Sequence, residues 1–358
     1  MHSVRIVFVL PGMFVAGGVK FVLKISEALV NAGCHVTVVY PRDLRNPIIK
    51  FLDQKLGGSI NQALGARAIR ANWCCASRVR VLEVPVLDAK YLPSADFVFA
   101  TAWQTAAFVN SLPLGPDRKC YLIQHYETWS GPKEAVDETW RLPMRKFVVA
   151  QWLADLAREM FNDDSAWIVH IGVDPREFFP PPSSYRKRKR RLRVAMLYHP
   201  EPWKGFADGL AAVEIARKEV DFDLVLFGAH PIHRSLPAQT QFYLRPSTAR
   251  LRQLYWSSDV FVSSSWLEGG PMPPMEAMAC ERAVVATDSL GVREYAVHRV
   301  NALLSPPKKP AELAELLVTA LKDEELRERL GKAGAATMKA FTWESSAEQM
   351  LRGLSATA

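Results

Sequence analysis

The chain has 358 residues, 49% of them apolar and 23% charged, a balance typical of a globular protein with room for two domains. No apolar run approaches the roughly 20 residues that a membrane-spanning helix needs, which argues against an integral membrane protein. The formal charge of +8 and pI near 9.2 favour an anionic partner. Nucleotide phosphate, nucleic acid and an acidic membrane surface all remain open.

The cysteines and the start of the chain predict a cytoplasmic protein. Five cysteines form neither a CxxC pair nor a Cys/His metal spacing, which fits a reducing compartment. They are Cys34, Cys74, Cys75, Cys120 and Cys280. The first apolar run, "VRIVFVL", ends at a Pro-Gly with no small-residue cleavage site after it. We interpret it as a first strand rather than a signal peptide.

Strand and helix patterns alternate through the first half of the chain. The aliphatic run over residues 4–10 predicts a strand buried on both faces. A glycine-bearing loop follows, then a helix that ends at Gly33. Its apolar face comprises Phe21, Val22, Ile25, Ala28 and Leu29. Further strands are predicted at "HVTVVY", "VRVLEVP", "DFVFATA", "KCYLIQHY" and "KFVVAQ", and this alternation predicts an open, doubly wound sheet.

The composition changes near residue 178. There "FFPPPSSYRKRKRRLR" combines prolines and serines with the basic run Arg186–Arg191, and predicts an exposed linker over 179–191. The alternation restarts with "RVAMLYH", "FDLVLFG", "DVFVSSS", "RAVVATD" and "NALLSPP". We therefore predict two Rossmann-like α/β domains, 1–178 and 192–340, with a ligand cleft between the carboxyl ends of their strands.

Two loops have the chemistry of anion binding. Gly17 and Gly18 lie just before the first predicted helix, where glycine lets a ligand approach the backbone and helix amides point at anions. A tight strand-to-helix turn explains these glycines equally well. Lys204, in "LYHPEPWKGF", lies in a loop that leads toward a helix, where an ammonium can meet a phosphate. A solvated surface lysine is the simpler explanation there.

The stretch "SSSWLEGGPMPPMEAMAC" carries the strongest pattern. Glu268 precedes a Gly-Gly-Pro turn, and Glu276 follows two prolines that suit a first helical turn. Amides of Gly269 and Gly270 suit phosphate or sugar oxygens, and carboxylates accept paired hydrogen bonds from vicinal hydroxyls. A loop charge and a first-turn carboxylate held by the helix dipole are the structural alternatives. The combination predicts a nucleotide-sugar site.

With these residues the chain resembles the glycosyltransferases of GT-B fold, most closely the retaining GT4 family. The resemblance rests on the E-x7-E pair, Glu268 and Glu276, followed by "AMAC" and "AVVATD". It extends to "AGGV", "WKG", "VHIGVDPREFFP" and "FTWESSAEQML". It implies two Rossmann-like domains around an interdomain cleft, and a helix over 341–358 that packs back on the N-terminal domain.

The resemblance implies donor contacts from both halves of the chain. Gly17 and Gly18 would approach the donor diphosphate from the N-terminal domain. His125, in "IQHYE", would lie at the floor of the cleft near the transferred sugar, where it positions groups and stabilises charge. In the second domain, backbone around Leu244 and Arg245 would meet the nucleobase.

Roles in the E-x7-E segment follow in the same way. Glu268 would face hydroxyls of the transferred sugar with the amides of Gly269 and Gly270 beside it, and Glu276 would bind the ribose. The resemblance implies no metal and no cofactor, because Lys204, glycine amides and the helix start would neutralise the leaving diphosphate.

Several positions depart from the family pattern. His199 stands where the family usually has an arginine, five residues before Lys204. Only a protonated histidine can supply that charge, and an unperturbed histidine titrates near pH 6.5. We therefore expect donor binding to weaken as the pH rises through this range. Ile171 and Glu281 replace the usual Asn and Gly of two other motifs.

These features predict a retaining, metal-independent glycosyltransferase that moves a hexose from a nucleotide-diphosphate sugar to an acceptor hydroxyl. Its catalytic residues would be His125, Lys204 and Glu268, and its role would lie in glycan, glycolipid or natural-product biosynthesis. The alternatives are a nucleotide-sugar epimerase on the same fold and a nucleic-acid-binding protein that uses the basic run. Nucleic acid is not expected, because Tyr185 is the one aromatic near that run for base stacking.

The basic run Arg186–Arg191 has a further interpretation as a contact to anionic lipid. The acceptor would then be lipid-linked, and the protein would lie at the inner face of the membrane. A solvated linker explains the run equally well. Residues 44–75 and 126–141, where the acceptor loops are expected, carry no pattern that identifies the acceptor.

Overall fold

The computed structural model describes residues 3–42, 78–183, 191–233 and 235–356. The chain divides into two compact units, Met1–Ile171 with Trp343–Ala358, and Gly172–Thr342. The first boundary lies a few residues before the predicted one at 178, because the segment after Ile171 bonds within the second unit. Val173 N–H donates to Phe341 O (2.9 Å). The predicted acceptor loop at 44–75 lies outside the described residues, and so do residues 184–190 of the predicted linker over 179–191.

The first unit is built on seven parallel strands. They are β1 Arg5–Val9, β2 His35–Pro41, β3 Arg80–Val84, β4 Phe97–Ala100, β5 Lys119–Ile123, β6 Arg145–Val148 and β7 Trp167–Ile168. Their order in the sheet is β3-β2-β1-β4-β5-β6-β7. The helices between them are α1 Gly17–Asn31, α2 Trp103–Ser111, α3 Lys133–Trp140 and α4 Gln151–Phe161.

Burial explains why the apolar patterns of these segments predict strands and helices. Residues 6–9 of β1 are at most 1% exposed, as expected for a strand covered on both faces. The five predicted apolar residues of α1 are all buried. The helix begins at Gly17 itself, so both glycines lie within its first turn rather than before it. Gly33 has φ +94°, the left-handed conformation that favours glycine just past a helix end.

The second unit repeats the architecture with six parallel strands. They are β8 Leu192–Leu197, β9 Phe222–Gly228, β10 Thr240–Leu244, β11 Val260–Ser263, β12 Ala283–Thr287 and β13 Leu303–Ser305. The sheet order is β10-β9-β8-β11-β12-β13. The helices are α5 Phe206–Ala216, α6 Thr248–Trp256, α7 Met272–Ala279, α8 Pro310–Lys322 and α9 Glu324–Met338.

Both sheets therefore have the strand order of a doubly wound nucleotide-binding fold, and the predicted fold class is confirmed. The strands β7 and β10 were not predicted. β7 has only two residues, and β10 is an edge strand whose residues are at most partly buried. Neither produces the continuous apolar run that marks a central strand.

The last helix, α10 Trp343–Ser355, belongs to the first unit. The Trp343 ring lies 5.6 Å from the Phe21 ring of α1. The Arg145 guanidinium donates to the carbonyls of Leu354 (3.1 Å) and Ala356 (2.8 Å), which ties the helix end to β6. Among the described residues, no helix has the length and apolar character needed to cross a membrane.

Candidate functional site

Two loops at the carboxyl edge of the second sheet carry Lys204 and Glu268. Lys204 ends a short 3-10 helix after β8, and Gly205 follows in the left-handed region (φ +61°). A Cβ at Gly205 would lie 1.9 Å from Ser264 O, so only glycine fits where the two loops cross. Trp266 N–H donates to Trp203 O at 2.7 Å and fixes the loops together.

Lys204 and Glu268 form a bidentate ion pair. Lys204 Nζ lies 2.8 Å from each oxygen of the Glu268 carboxylate. Glu268 is buried, whereas about a quarter of the Lys204 side chain is exposed. The pair lines a cavity of about 20 Å³, which has room for about one water molecule. The two predicted site residues are thus in direct contact.

His199 lies at the end of β8 beside this pair, and its predicted titration near pH 6.5 is wrong. Burial, with smaller contributions from the charges of Lys204 and His230, lowers the pKa of His199 to about 4, against the opposing effect of Glu268. The backbone N–H of Glu201 donates to His199 Nδ1 at 3.2 Å, which requires a lone pair on that nitrogen. His199 is therefore neutral at pH 5.5 to 8 and does not supply the missing positive charge in this state.

The loop after Glu268 is held tightly by the loop after β12. Glu268 N–H donates to Ser289 O (2.9 Å), and Gly291 N–H donates to Glu268 O (3.2 Å). A Cβ on Gly291 would lie 2.1 Å from Gly269 O. Because backbone packs on backbone here, the Gly269 and Gly270 amides are carried by a fixed loop.

Helix α7 begins at Met272, so Glu276 lies in the second helical turn rather than in the first as predicted. The prolines at 273 and 274 occupy the first turn and have no N–H group. The helix start therefore offers fewer amides to an anion than the sequence pattern suggested. Glu276 is 4% exposed and accepts a hydrogen bond from Tyr255 Oη at 3.0 Å. Burial raises the pKa of Tyr255 well above 10, so this hydroxyl remains a donor.

Leu244 and Arg245 lie at the end of β10, at the same edge of the sheet. Arg245 has φ +48°, and its N–H donates to Gly228 O (2.8 Å) at the end of β9. Leu244 is 48% exposed. The strand ends thus place these residues, His199, Lys204 and Glu268 along one edge of the second unit.

An open depression of about 600 Å³ on the second unit was not predicted from the sequence. Trp266 and Leu290 line it, and Leu290 forms a backbone bridge with Glu268. Lys308 Nζ lies 4.4 Å from the centre of the Trp266 ring, and Trp266 Nε1 donates to Asp208 (2.6 Å). No sequence motif marks this depression, because its walls come from loops distant along the chain.

In the first unit, the glycine loop meets the segment after β5. A Cβ on Gly18 would lie 3.2 Å from the Gln124 side-chain oxygen, so Gly18 packs against the residue before His125. The His125 ring lies 4.2 Å from the Trp129 ring and 5.5 Å from the Trp152 ring, in both cases nearly perpendicular. The structure therefore brings Gly17, Gly18 and His125 into one region of the first unit.

Glu127 lies two residues after His125 and was not predicted from the sequence as a candidate residue. It accepts a hydrogen bond from Trp103 N–H (3.0 Å) at the start of α2. Burial raises the pKa of the Glu127 carboxyl to about 7, although this hydrogen bond opposes the shift. Its position two residues after His125 was the available signal, but sequence alone does not show that the side chain is enclosed.

The described residues hold no cluster of three or more His, Cys, Asp or Glu side chains with the geometry of a metal site. Of the basic run Arg186–Arg191, the structure describes Arg191. That residue pairs with Asp221 and, at 3.3 Å, with Asp223. Its guanidinium is therefore engaged by acidic neighbours of the second unit rather than presented to an anionic surface.

Part of the chain is similar to a known enzyme family. Residues 182–337 match the family described as "Glycosyl transferases group 1". The O-antigen biosynthesis protein RfbC of Myxococcus xanthus is 27% identical over 77% of this chain. The match covers 22% of that relative, and 39% and 51% of two other curated relatives. The chain therefore spans about half or less of these proteins.

Solved structures show the same fold over nearly the whole chain. Sucrose-phosphate synthase from Thermosynechococcus elongatus has a TM-score of 0.75 at 18% identity, covering 98% of both chains. HepE from Anabaena, solved with UDP-glucose, has a TM-score of 0.74 at 15% identity, covering 98% of this chain and 99% of that one. Residues 182–337 are thus similar to the group 1 glycosyl transferases, and the fold of the chain is GT-B.

Proposed function

We propose that this protein is a retaining glycosyltransferase that moves a hexose from a nucleotide-diphosphate sugar to an acceptor hydroxyl. The observation that carries the proposal is the Lys204–Glu268 pair at the carboxyl edge of the second sheet. A lysine and a carboxylate at this position can bind the two chemically different parts of such a donor. The ammonium suits its phosphates, and the carboxylate suits its sugar hydroxyls.

Donor binding by this route requires an exchange of partners. Lys204 leaves Glu268 for the diphosphate, and Glu268 then accepts hydrogen bonds from the transferred sugar. The positive charge of Lys204 would stabilise the diphosphate as it leaves, which is the main electrostatic demand of the reaction. We assign ribose binding to Glu276, nucleobase contacts to Leu244 and Arg245, and sugar positioning to His125.

The remaining parts of the proposal rest on the resemblance to the GT4 family. They are retention of configuration, independence of metal and cofactor, and the contribution of Gly17, Gly18, Gly269 and Gly270 to phosphate binding. The match to an O-antigen biosynthesis protein and the UDP-glucose bound to HepE support a sugar nucleotide as donor. A lipid-linked acceptor and contact of residues 186–190 with anionic lipid are part of the same proposal.

A donor screen tests the function directly. The protein would be mixed with UDP-glucose, UDP-N-acetylglucosamine, GDP-mannose or dTDP-rhamnose, with EDTA present, and followed by thermal shift and nucleotide release. One donor at 100 times its Kd should stabilise the fold by about 2.7 kcal/mol. Lys204→Ala and Glu268→Gln should remove turnover, and NMR of the product should show the donor's anomeric configuration. Failure of all donors to bind, or release of an epimerised free sugar, would contradict the proposal.

A further inference from the structure

An exposed tryptophan lies beside the candidate catalytic histidine of the first unit. Trp129 is 41% exposed, whereas Trp103 and Trp140 in the same unit are at most 4% exposed. Its ring packs nearly perpendicular to the His125 ring at 4.2 Å, and His125 packs in the same way against Trp152 at 5.5 Å. The three rings form one cluster, which we call the aromatic platform.

The loop that carries Trp129 is fixed in place. Ser130 N–H donates to Glu127 O (3.0 Å), and Trp103 Nε1 donates to Ser130 Oγ (2.9 Å). A Cβ on Gly131 would lie 2.3 Å from the Trp103 ring, so the loop packs directly on that indole. An exposed aromatic side chain on a preorganised loop loses little entropy when a ligand covers it.

The chemistry around the platform is mixed rather than uniformly apolar. Gln124 precedes His125 in the chain, and its side-chain amide donates to Thr101 O at 3.4 Å. Glu127 lies between His125 and Trp129 in the chain, and its carboxylate accepts from Trp103 N–H at 3.0 Å. An exposed indole in a loop that also carries polar residues suits a pyranose, which has an apolar C–H face and a rim of hydroxyls. Aromatic side chains with a polar tip suit such amphipathic surfaces.

The cations nearest to Trp129 in the following helix lie in ion pairs. Lys133, the lysine nearest in sequence to Trp129, is paired with Asp137. Arg141, at the end of α3, is paired with Glu138 at 3.3 Å. Both cations are thus already matched by carboxylates of the same helix.

We propose that the aromatic platform binds a sugar ring of the acceptor, with the ring stacked on Trp129, so that the acceptor is a glycoside. The assignment rests on the proposed function, because it places the acceptor on the first unit of a glycosyltransferase. It adds the substrate class that neither the sequence pattern nor the donor site provides.

Binding to Trp129 can be observed without turnover. The protein would carry ¹⁵N in its indole groups, with the Trp129 signal assigned from Trp129→Phe. Methyl α-glycosides of glucose, galactose, mannose and rhamnose would be titrated to 50 mM, with glycerol as the control. A saturable shift of the Trp129 signal with at least one glycoside and none with glycerol is expected. No shift with any glycoside, or an equal shift with glycerol, would overturn the assignment.

Kinetics with the glycoside that binds provide the second test. Trp129→Ala should raise its KM about ten-fold and Trp129→Phe about three-fold, while the donor KM changes less than two-fold. Met160→Ala, which removes a similarly exposed side chain from α4, should leave all constants unchanged. If kcat falls with the acceptor KM unchanged, Trp129 acts by supporting His125 and the platform assignment is wrong. Binding of methyl glycosides requires no nucleotide. A failure of the platform assignment can therefore be distinguished from a failure of the proposed function in the donor screen.

Discussion

Lys204 Nζ lies 2.8 Å from both carboxylate oxygens of Glu268, so the two side chains proposed to hold different parts of one donor hold each other in this structure. They are 64 residues apart in sequence and meet because the loops after β8 and β11 cross at Gly205. Either charge alone in this mostly buried position would be costly. The pair therefore keeps the site stable and sets a cost that the donor must offset.

Stability measurements should reveal the coupling of this pair. Lys204→Met and Glu268→Gln should each lower the free energy of unfolding by about 2–3 kcal/mol, and the double variant by clearly less than the sum. Urea unfolding of the four proteins measures the difference. The exposed pair Lys322–Glu219 (2.7 Å) is the control, with an expected coupling below about 1 kcal/mol. Equal coupling in both pairs would show that burial adds nothing.

Donor affinity should be nearly independent of pH between 6 and 8. The pKa of His199 is about 4 when no phosphate faces it, so the histidine is neutral through this range. A bound diphosphate favours the cation and raises that pKa, so affinity should strengthen only toward acid pH. His199→Arg should bind the donor about ten-fold more tightly at all these pH values. Calorimetry would decide: a steep loss of affinity from pH 6 to 8 that His199→Ala abolishes would mean that His199 is protonated near neutrality.

Glu127 should make the protein less stable as the pH rises from 5 to 8. Its folded pKa of about 7 lies above its ordinary value of 4.5, so the folded state holds the proton more tightly. The stabilisation that the protonated Glu127 carboxyl contributes is complete below pH 4.5 and is lost as the pH rises through 7. Between pH 5 and 8 the free energy of unfolding of Glu127→Gln should therefore rise by up to about 3 kcal/mol relative to that of wild type. This figure follows from about 1.4 kcal/mol per pKa unit.

Chemical denaturation across this pH range measures the gain. Glu138→Gln is the matched control, because its exposed carboxyl lies on α3 of the same unit. That variant should follow the wild-type profile. Parallel curves for wild type and Glu127→Gln would mean that the Glu127 carboxylate is solvated.

Variants at Glu276 and Tyr255 should distinguish a role in ribose binding from a role in the stability of the fold. Glu276→Ala should weaken nucleotide binding by about 1.5–3 kcal/mol, the range for hydrogen bonds to a charged group. Tyr255→Phe removes the donor 3.0 Å from the carboxylate and should lower stability by a similar amount. Its effect on nucleotide affinity should be smaller, because the carboxylate remains. Calorimetry with UDP or GDP and urea unfolding measure the two effects, and unchanged affinity in Glu276→Ala would remove the ribose assignment.

The sequence by itself determined the architecture of both units. Runs such as "VRIVFVL" and "FDLVLFG" belong to central parallel strands, which are covered on both faces and must be apolar throughout. Local chemistry also identified Gly33 as a helix end and the Glu268–Glu276 segment as a loop before a helix. Each of these properties depends on residues within a few positions of one another. The short strand β7 and the edge strand β10 were missed because neither is buried on two faces.

Only the tertiary structure decided which side chains meet and how they titrate. A neutral His199, a Glu127 carboxyl with a pKa of about 7 and the Lys204–Glu268 pair all depend on neighbours supplied by distant segments. Desolvation and the Coulomb interaction act through space, so the same residue titrates differently in a loop and in an enclosed pocket. Sequence spacing therefore pointed to candidate residues, whereas their charges and partners were set by the packing of loops at the strand ends.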